Sequence, residues 1–263
     1  MIAPLEVTGL TKVFPTAAGP FTAVKNVNFV TQPAEFLCIL GHSGCGKSTV
    51  LSIIAGLQKA TYGGVVIHGK EVDEPGTDRG VVFQSPSLLP WLTAGQNVTL
   101  AVGRAFPKYS HKKRKAEAER YLGLAGVPDS YDQKPSELSL GTQQCVSLAR
   151  ALSLSPEFLL LDEPFSMLDS LTRLSLQDTL LAVWEQSKKT VIMVTHDIDE
   201  ALYLADRLVL MTDGPEARVG EILTLPFPRP RNRADVLGHP EYYSYRTRII
   251  DFLENHVGHR MAN

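Results

Sequence analysis

Gly41-His42-Ser43-Gly44-Cys45-Gly46-Lys47-Ser48-Thr49 follows the spacing G-x-x-x-x-G-K-[ST] in full. The glycines let the backbone wrap so that successive N–H groups point inward at an anion. A helix starting at the end of the loop adds its N-terminal dipole to the same anion. Lys47 brings a point charge to β- and γ-phosphates, and the Ser48 hydroxyl suits a magnesium ion. Such a metal also needs a carboxylate. Phe158-Leu159-Leu160-Leu161-Asp162-Glu163 offers two, at the end of an apolar run. Asp162 is placed to hold the magnesium, directly or through water, and Glu163 to polarise an attacking water. Taken alone, that run reads equally as a strand entering a polar turn. Gln84 and His196 each close another apolar run, where a strand-capping glutamine or a structural histidine is the ordinary reading.

These groups require elements to hold them. Glu35 to Leu40 is a compact apolar run, read as the buried strand that enters the loop. Ser48 to Gly56 reads as the helix that leaves it, closed by Gly56. Leu5 to Val7 and Val24 to Phe29 are short strands separated by Pro15, Gly19 and Pro20, and Gly64 to Ile67 and Gly80 to Phe83 are two more. Helical spacing dominates from Ser85 to Pro156, including His111 to Leu124 and Ser139 to Leu152. Strands at Phe158 to Leu161, Val191 to Val194 and Leu208 to Met211 then alternate with helices at Leu174 to Lys188 and Ile198 to Ala205. This alternation predicts an α/β sheet with parallel pairs. Pro226, Pro228 and Pro230 open a tail that ends in a short helix from Tyr242 to Asn255.

Composition narrows the class. The 263 residues carry 26 Lys+Arg against 28 Asp+Glu, a net charge of −2. No basic surplus serves phosphate neutralisation, so no nucleic-acid partner is expected. No run approaches the roughly 18–20 apolar residues that cross a bilayer, and Met1 to Leu10 lacks the pattern of a secretory signal. Cys38, Cys45 and Cys145 are too few and too scattered for a disulfide framework, and no Cys/His spacing suggests zinc. Cys45 lies in the loop itself, so thiol modifiers are expected to inhibit.

Together these segments resemble the nucleotide-binding subunit of an ABC transporter, over about Leu5 to Leu225. Within that family the chain is most similar to importer ATPases for nitrate/nitrite, cyanate, bicarbonate and taurine/sulfonate. The residues that carry this are Phe14-Pro15-Thr16 with Gly19-Pro20, the loop from His42 to Thr49, and Pro75 through Gln84. Leu88-Leu89-Pro90-Trp91 and Leu161-Asp162-Glu163-Pro164-Phe165 add to it. The first two lean toward the nitrate branch. The resemblance implies an α/β P-loop NTPase of ABC type, with a mixed sheet core, N-terminal antiparallel strands and a helical subdomain inserted at 85–156. The ATPase domain would span 1–225 and the tail 226–263.

The family pattern also assigns roles. Gln84 becomes the Q-loop glutamine, touching magnesium and the nucleophilic water, and His196 the switch histidine at the γ-phosphate. Ser166-Met167-Leu168-Asp169 matches the D-loop, with Asp169 at the contact between two such subunits. Asp169 can equally be a helix N-cap. Phe14 falls where a ring stacks on adenine, although a core Phe is the common fate of such residues. Ser139 and Gly141 match signature positions that donate to phosphate. In Leu138-Ser139-Leu140-Gly141-Thr142-Gln143-Gln144-Cys145, however, Leu140 stands where the family has its first signature glycine. Either Leu140 turns away from the nucleotide, or it weakens one of two sites in an asymmetric dimer.

The implied cofactors are ATP and Mg2+. The implied partners are integral-membrane permease subunits, a second ATPase subunit (a different chain favoured, a second copy possible) and, indirectly, a solute-binding protein. The implied place is the cytoplasmic face of the inner membrane, as a peripheral subunit. Residues 85–97, with Trp91, are the candidate permease-facing groove, and a core role for Trp91 is the alternative. His111 to Lys115 reads as a solvated helix start. Arg229, Arg231 and Arg233 read as tail residues that touch a partner or solvate the segment. Soluble non-transport ABC ATPases carry coiled-coil insertions, zinc modules or two cassettes, none of which is present here. Gln84, the signature helix and His196 in order argue against an unrelated kinase or GTPase.

Overall fold

A computed structural model describes residues 4–256. In chain order the elements are β1 (Leu5–Thr16), β2 (Gly19–Val30), β3 (Phe36–Leu40), α1 (Lys47–Ile54), β4 (Tyr62–Ile67), β5 (Lys70–Glu71), β6 (Arg79–Val82), α2 (Ala94–Ala105), α3 (His111–Leu124), α4 (Leu140–Ser153), β7 (Phe158–Asp162), α5 (Ser170–Ser187), β8 (Thr190–Thr195), α6 (Ile198–Leu204), β9 (Arg207–Met211), β10 (Val219–Thr224), α7 (Arg233–Leu237) and α8 (Tyr242–Asn255). They fall into two compact units. One is built from the chain up to Pro75 and from Thr190 onward, the other from Gly76–Lys189.

In the first unit, β1 and β2 form a long hairpin whose register closes at Thr16 and Gly19. Gly19 sits at φ +113°, a conformation open mainly to glycine. With β4 and β5 they make an antiparallel sheet in the order β2-β1-β4-β5. A second set of strands places β3 between β8 and β9, parallel to both, with β10 antiparallel on the edge of β9. β3 and β8 are buried at every position. That is why they read as unbroken apolar runs rather than alternating ones.

In the second unit, β6 and β7 pair in parallel. Helices α2, α3 and α4 share a core of their own, from Ala94, Val98, Val102, Ala118, Leu122, Val146 and Ala149. α2 starts with a capping box between Thr93 and Gln96. The antiparallel N-terminal strands and the mixed pairing are the expected α/β class. β10 and α7 were not anticipated: one is a half-exposed edge strand, the other only a turn and a half of helix.

Candidate functional site

Parallel register brings functional residues to the same strand ends. Leu40 of β3 lies opposite Thr195 of β8. Gly41, which opens the loop, and His196 therefore leave neighbouring strands side by side, about 4.8 Å apart. His196 is exposed there. In the other unit Val82 of β6 lies opposite Leu161 of β7, so Gln84 and the Asp162-Glu163 pair also emerge together. Carboxyl ends of parallel strands are where α/β folds place ligands.

The loop is shaped for an anion. Gly44 and Gly46 hold φ +80° and +100°, and Gly46 serves as the N-cap of α1 without any side-chain cap. No acidic residue occupies the first turn of α1, so its N-terminal N–H groups face an approaching anion without a competing carboxylate. Lys47 is only 3% exposed, and its Nζ donates to the carbonyls of Gly41 and His42, each at 2.8 Å. The ammonium is thereby held across the mouth of the loop. Ser43, Gly44 and Ser48 are exposed on the loop and first turn, and Thr49 is half-buried. His42 points elsewhere: its Nε2 lies 3.1 Å from the Leu253 carbonyl of α8. No sequence signal linked these two residues. Cys45 is 1% exposed, and burial pushes its thiol up. The loop cysteine is therefore a poor nucleophile at neutral pH, contrary to the expectation of easy thiol modification.

Phe14 is half-buried on the hairpin, with the Lys12 ammonium 5.1 Å from its ring centroid. It is not a core phenylalanine.

In the second unit a single hydroxyl ties three motifs together. Gln84 Nε2 donates to Ser166 Oγ at 3.1 Å, and Ser166 Oγ donates to the Glu163 carbonyl at 3.0 Å. Glu163 has φ +43°. The sequence showed Ser166 only as part of a loop, although a serine three residues after a turn residue is a known local hydrogen-bonding pattern. Asp169 is the N-cap of α5. The Thr172 hydroxyl and N–H hold its carboxyl below the usual range.

Ser139 caps α4 and accepts from Thr142 N at 3.1 Å. Leu140 opens the helix half-buried, and Gly141 is buried against Thr172 of α5, where a Cβ would meet Cγ2 at 2.4 Å. Burial pushes the Cys145 thiol, also on α4, up to about 11. Trp91 is 68% exposed, which removes the core reading. The tail arginines are neither solvated nor free for a partner. Arg229 and Arg231 bind the Leu204 and Tyr203 carbonyls at 2.6 and 3.0 Å, and Arg233 lies 3.9 Å over the Tyr203 ring.

A magnesium ion takes hard oxygen ligands. Ser48 offers a hydroxyl in the first turn of α1 and Asp162 a carboxylate at the end of β7. Gln84 offers its Oε1, because its nitrogen is already engaged. In each unit, then, the donors present are of the oxygen type that this metal takes.

Residues 24–166 match the family model described as ABC transporter. The chain is 49% identical over 255 residues to the bicarbonate transport ATP-binding protein CmpD of Synechocystis sp., covering 97% of this chain and 90% of that one. It is also 49% identical over 248 residues to the nitrate import ATP-binding protein NrtD of Synechococcus elongatus, covering 94% and 90%. Among solved structures it is similar to the dimeric post-hydrolysis ATP-binding cassette MJ0796 bound to ADP and Pi. That likeness has a TM-score of 0.75 and 34% identity, covering 84% of this chain and 98% of that one. This chain belongs to the ABC transporter family, as one of its ATP-binding subunits.

Proposed function

We propose that the chain energises an ABC importer for a small anion, nitrate or nitrite, through ATP-driven closure of a pair of ATPase subunits. The loop from Gly41 to Thr49 takes the phosphates, with Lys47 at the β- and γ-phosphates and Phe14 against adenine. Ser48, Asp162 and Gln84 hold magnesium, which when bound offsets phosphate charge. Glu163 is the general base for an in-line water, and His196 contacts the γ-phosphate. Ser139 and Gly141 face nucleotide held by the other subunit, and Asp169 lies at the contact between subunits. The observation that carries this reading is the anion-shaped phosphate loop that opens α1, in a chain 49% identical to import ATPases over nearly its whole length.

Among the described residues no helix is long and apolar enough to cross a membrane. Transport therefore calls for separate permease subunits, and the chain would work as a peripheral subunit at the cytoplasmic face of the inner membrane. Trp91, exposed within residues 85–97, is the apolar group offered for that contact. A different second ATPase subunit is favoured. Synechococcus elongatus has both an NrtD and an NrtC for nitrate import, and each resembles this chain.

Bicarbonate is the second reading, because CmpD proteins match as well as NrtD does. Nitrate and bicarbonate are both small planar oxyanions, and the residues that choose between them lie in other subunits. The test replaces the native gene with Glu163→Gln and follows uptake of labelled nitrate, nitrite and bicarbonate. Loss of nitrate or nitrite uptake alone supports the first reading, and loss of bicarbonate uptake alone supports the second. If all three continue at the native rate, neither reading stands.

A further inference from the structure

We propose that Ser166 is a positioning residue for hydrolysis, holding the backbone of Glu163 in its working conformation and tying it to Gln84. The inference rests on Glu163 being the general base. Glu163 sits at φ +43°, in the left-handed region that L residues with a Cβ rarely adopt. Pro164 follows it, and a proline further restricts the residue before it. Such a conformation persists only where its surroundings over-determine it, and it is found at functional sites.

The surroundings that do so are specific. Ser166 N donates to the Glu163 carbonyl at 3.2 Å, and Ser166 Oγ donates to the same carbonyl at 3.0 Å. Phe165 and Leu168 are buried beside it, the Leu168 N–H bonds the Phe165 carbonyl, and Arg173 holds the Leu168 carbonyl at 3.2 Å. The turn is therefore anchored on both sides of Ser166. The one hydroxyl proton points at Glu163, so the Gln84 amide at 3.1 Å must use the oxygen lone pair. One atom thus serves as donor to the strand end that carries the base and acceptor from the strand end that carries Gln84. A shift of Gln84, on the segment leading toward α2, pulls on the hydroxyl that holds the Glu163 carbonyl. An ordinary turn serine would make the first bond without the second.

The test uses the detergent-purified transporter with its own partners, measuring MgATP turnover and equilibrium MgATP binding. Glu163→Gln is the reference and must abolish turnover while binding persists. Ser166→Ala is expected to lower kcat about tenfold or more with KM changed less than about twofold, because only positioning of the base is lost. Ser166→Thr keeps the hydroxyl and restores most of the turnover. In a Gln84→Ala background, Ser166→Ala is expected to cost less than it does in the native transporter, because the link between the two residues is already broken and only the bond to the Glu163 carbonyl remains to be lost. If Ser166→Ala does not assemble, Ser166→Cys takes its place with the same readouts.

Unchanged kcat in Ser166→Ala, a KM rise that matches the fall in kcat, failure of threonine to rescue, or multiplying effects in the double variant would each overturn the proposal. If Glu163→Gln keeps turning over, the base assignment fails and this inference with it. A dead Glu163→Gln beside a fully active Ser166→Ala sinks only the role of Ser166.

Discussion

Gly46 carries the tightest steric constraint in the phosphate loop. Its φ is +100°, and a Cβ there would lie 2.5 Å from Cγ1 of Val24, a fully buried side chain that cannot give way. Gly44 is also left-handed, at φ +80°, but a Cβ there meets nothing within 4 Å. Gly44→Ala therefore costs backbone strain alone, while Gly46→Ala adds a clash that shifts the loop. The strain alone is worth about 1–3 kcal/mol. At about 1.4 kcal/mol per decade, Gly46→Ala should weaken ATP binding by at least about tenfold. Titration of a fluorescent ATP analogue against both variants checks this, and an equal loss at the two positions would refute the steric ranking. The loop was readable from its spacing because each residue type answers a chemical need of phosphate. The contact of His42 with the Leu253 carbonyl was not readable, because a backbone carbonyl leaves no trace in residue type.

At the scale of elements, the last turn of α6 is satisfied by the tail. Arg231 has a fully buried side chain. It donates to the Tyr203, Ala205 and Phe227 carbonyls and pairs with Asp206 at 3.4 Å, and Arg229 pairs with the same carboxylate at 2.9 Å. Cations at a helix C-terminus meet orphan carbonyls and the negative end of the dipole. Arg231→Met would keep much of the volume but strand those acceptors, at a cost of about 2–3 kcal/mol. Urea unfolding of the purified chain should show the midpoint falling, and an unchanged midpoint would mean that the arginines are replaceable filler. The same region shows why some elements were legible and others were not. β3, β7 and β8 announce themselves because burial on both faces demands unbroken apolar runs. β10 is half-exposed and α7 has five residues, so neither has a pattern long enough to stand out. The arginines looked like tail charge because their partners are carbonyls more than twenty residues away.

At the scale of the whole molecule, the signature segment decides how this chain would meet a second ATPase subunit. A side chain at position 140 would be an objection if the backbone there needed a conformation open only to glycine. The structure removes that objection: Leu140 opens α4 as regular helix behind the Ser139 cap, a conformation any residue adopts. Gly141 is the sterically constrained position, because Thr172 of the same subunit lies where its Cβ would go. What Leu140 can still do is present isobutyl bulk at the helix N-terminus, where a glycine would leave room. On the asymmetric-dimer reading, the site completed by this signature turns over slowly, while the site built on this chain's own Lys47, Asp162 and Glu163 faces an intact partner. Leu140→Gly should then raise ATP turnover of the assembled complex toward that of two working sites. Binding of ATP to the isolated chain should not change, because the loop that holds it is untouched. Turnover that stays at the native value would show Leu140 to be a tolerated variant and the two sites equivalent. Gly141→Ala is the opposite control: it forces Thr172 aside and should lower turnover whichever way the first variant falls.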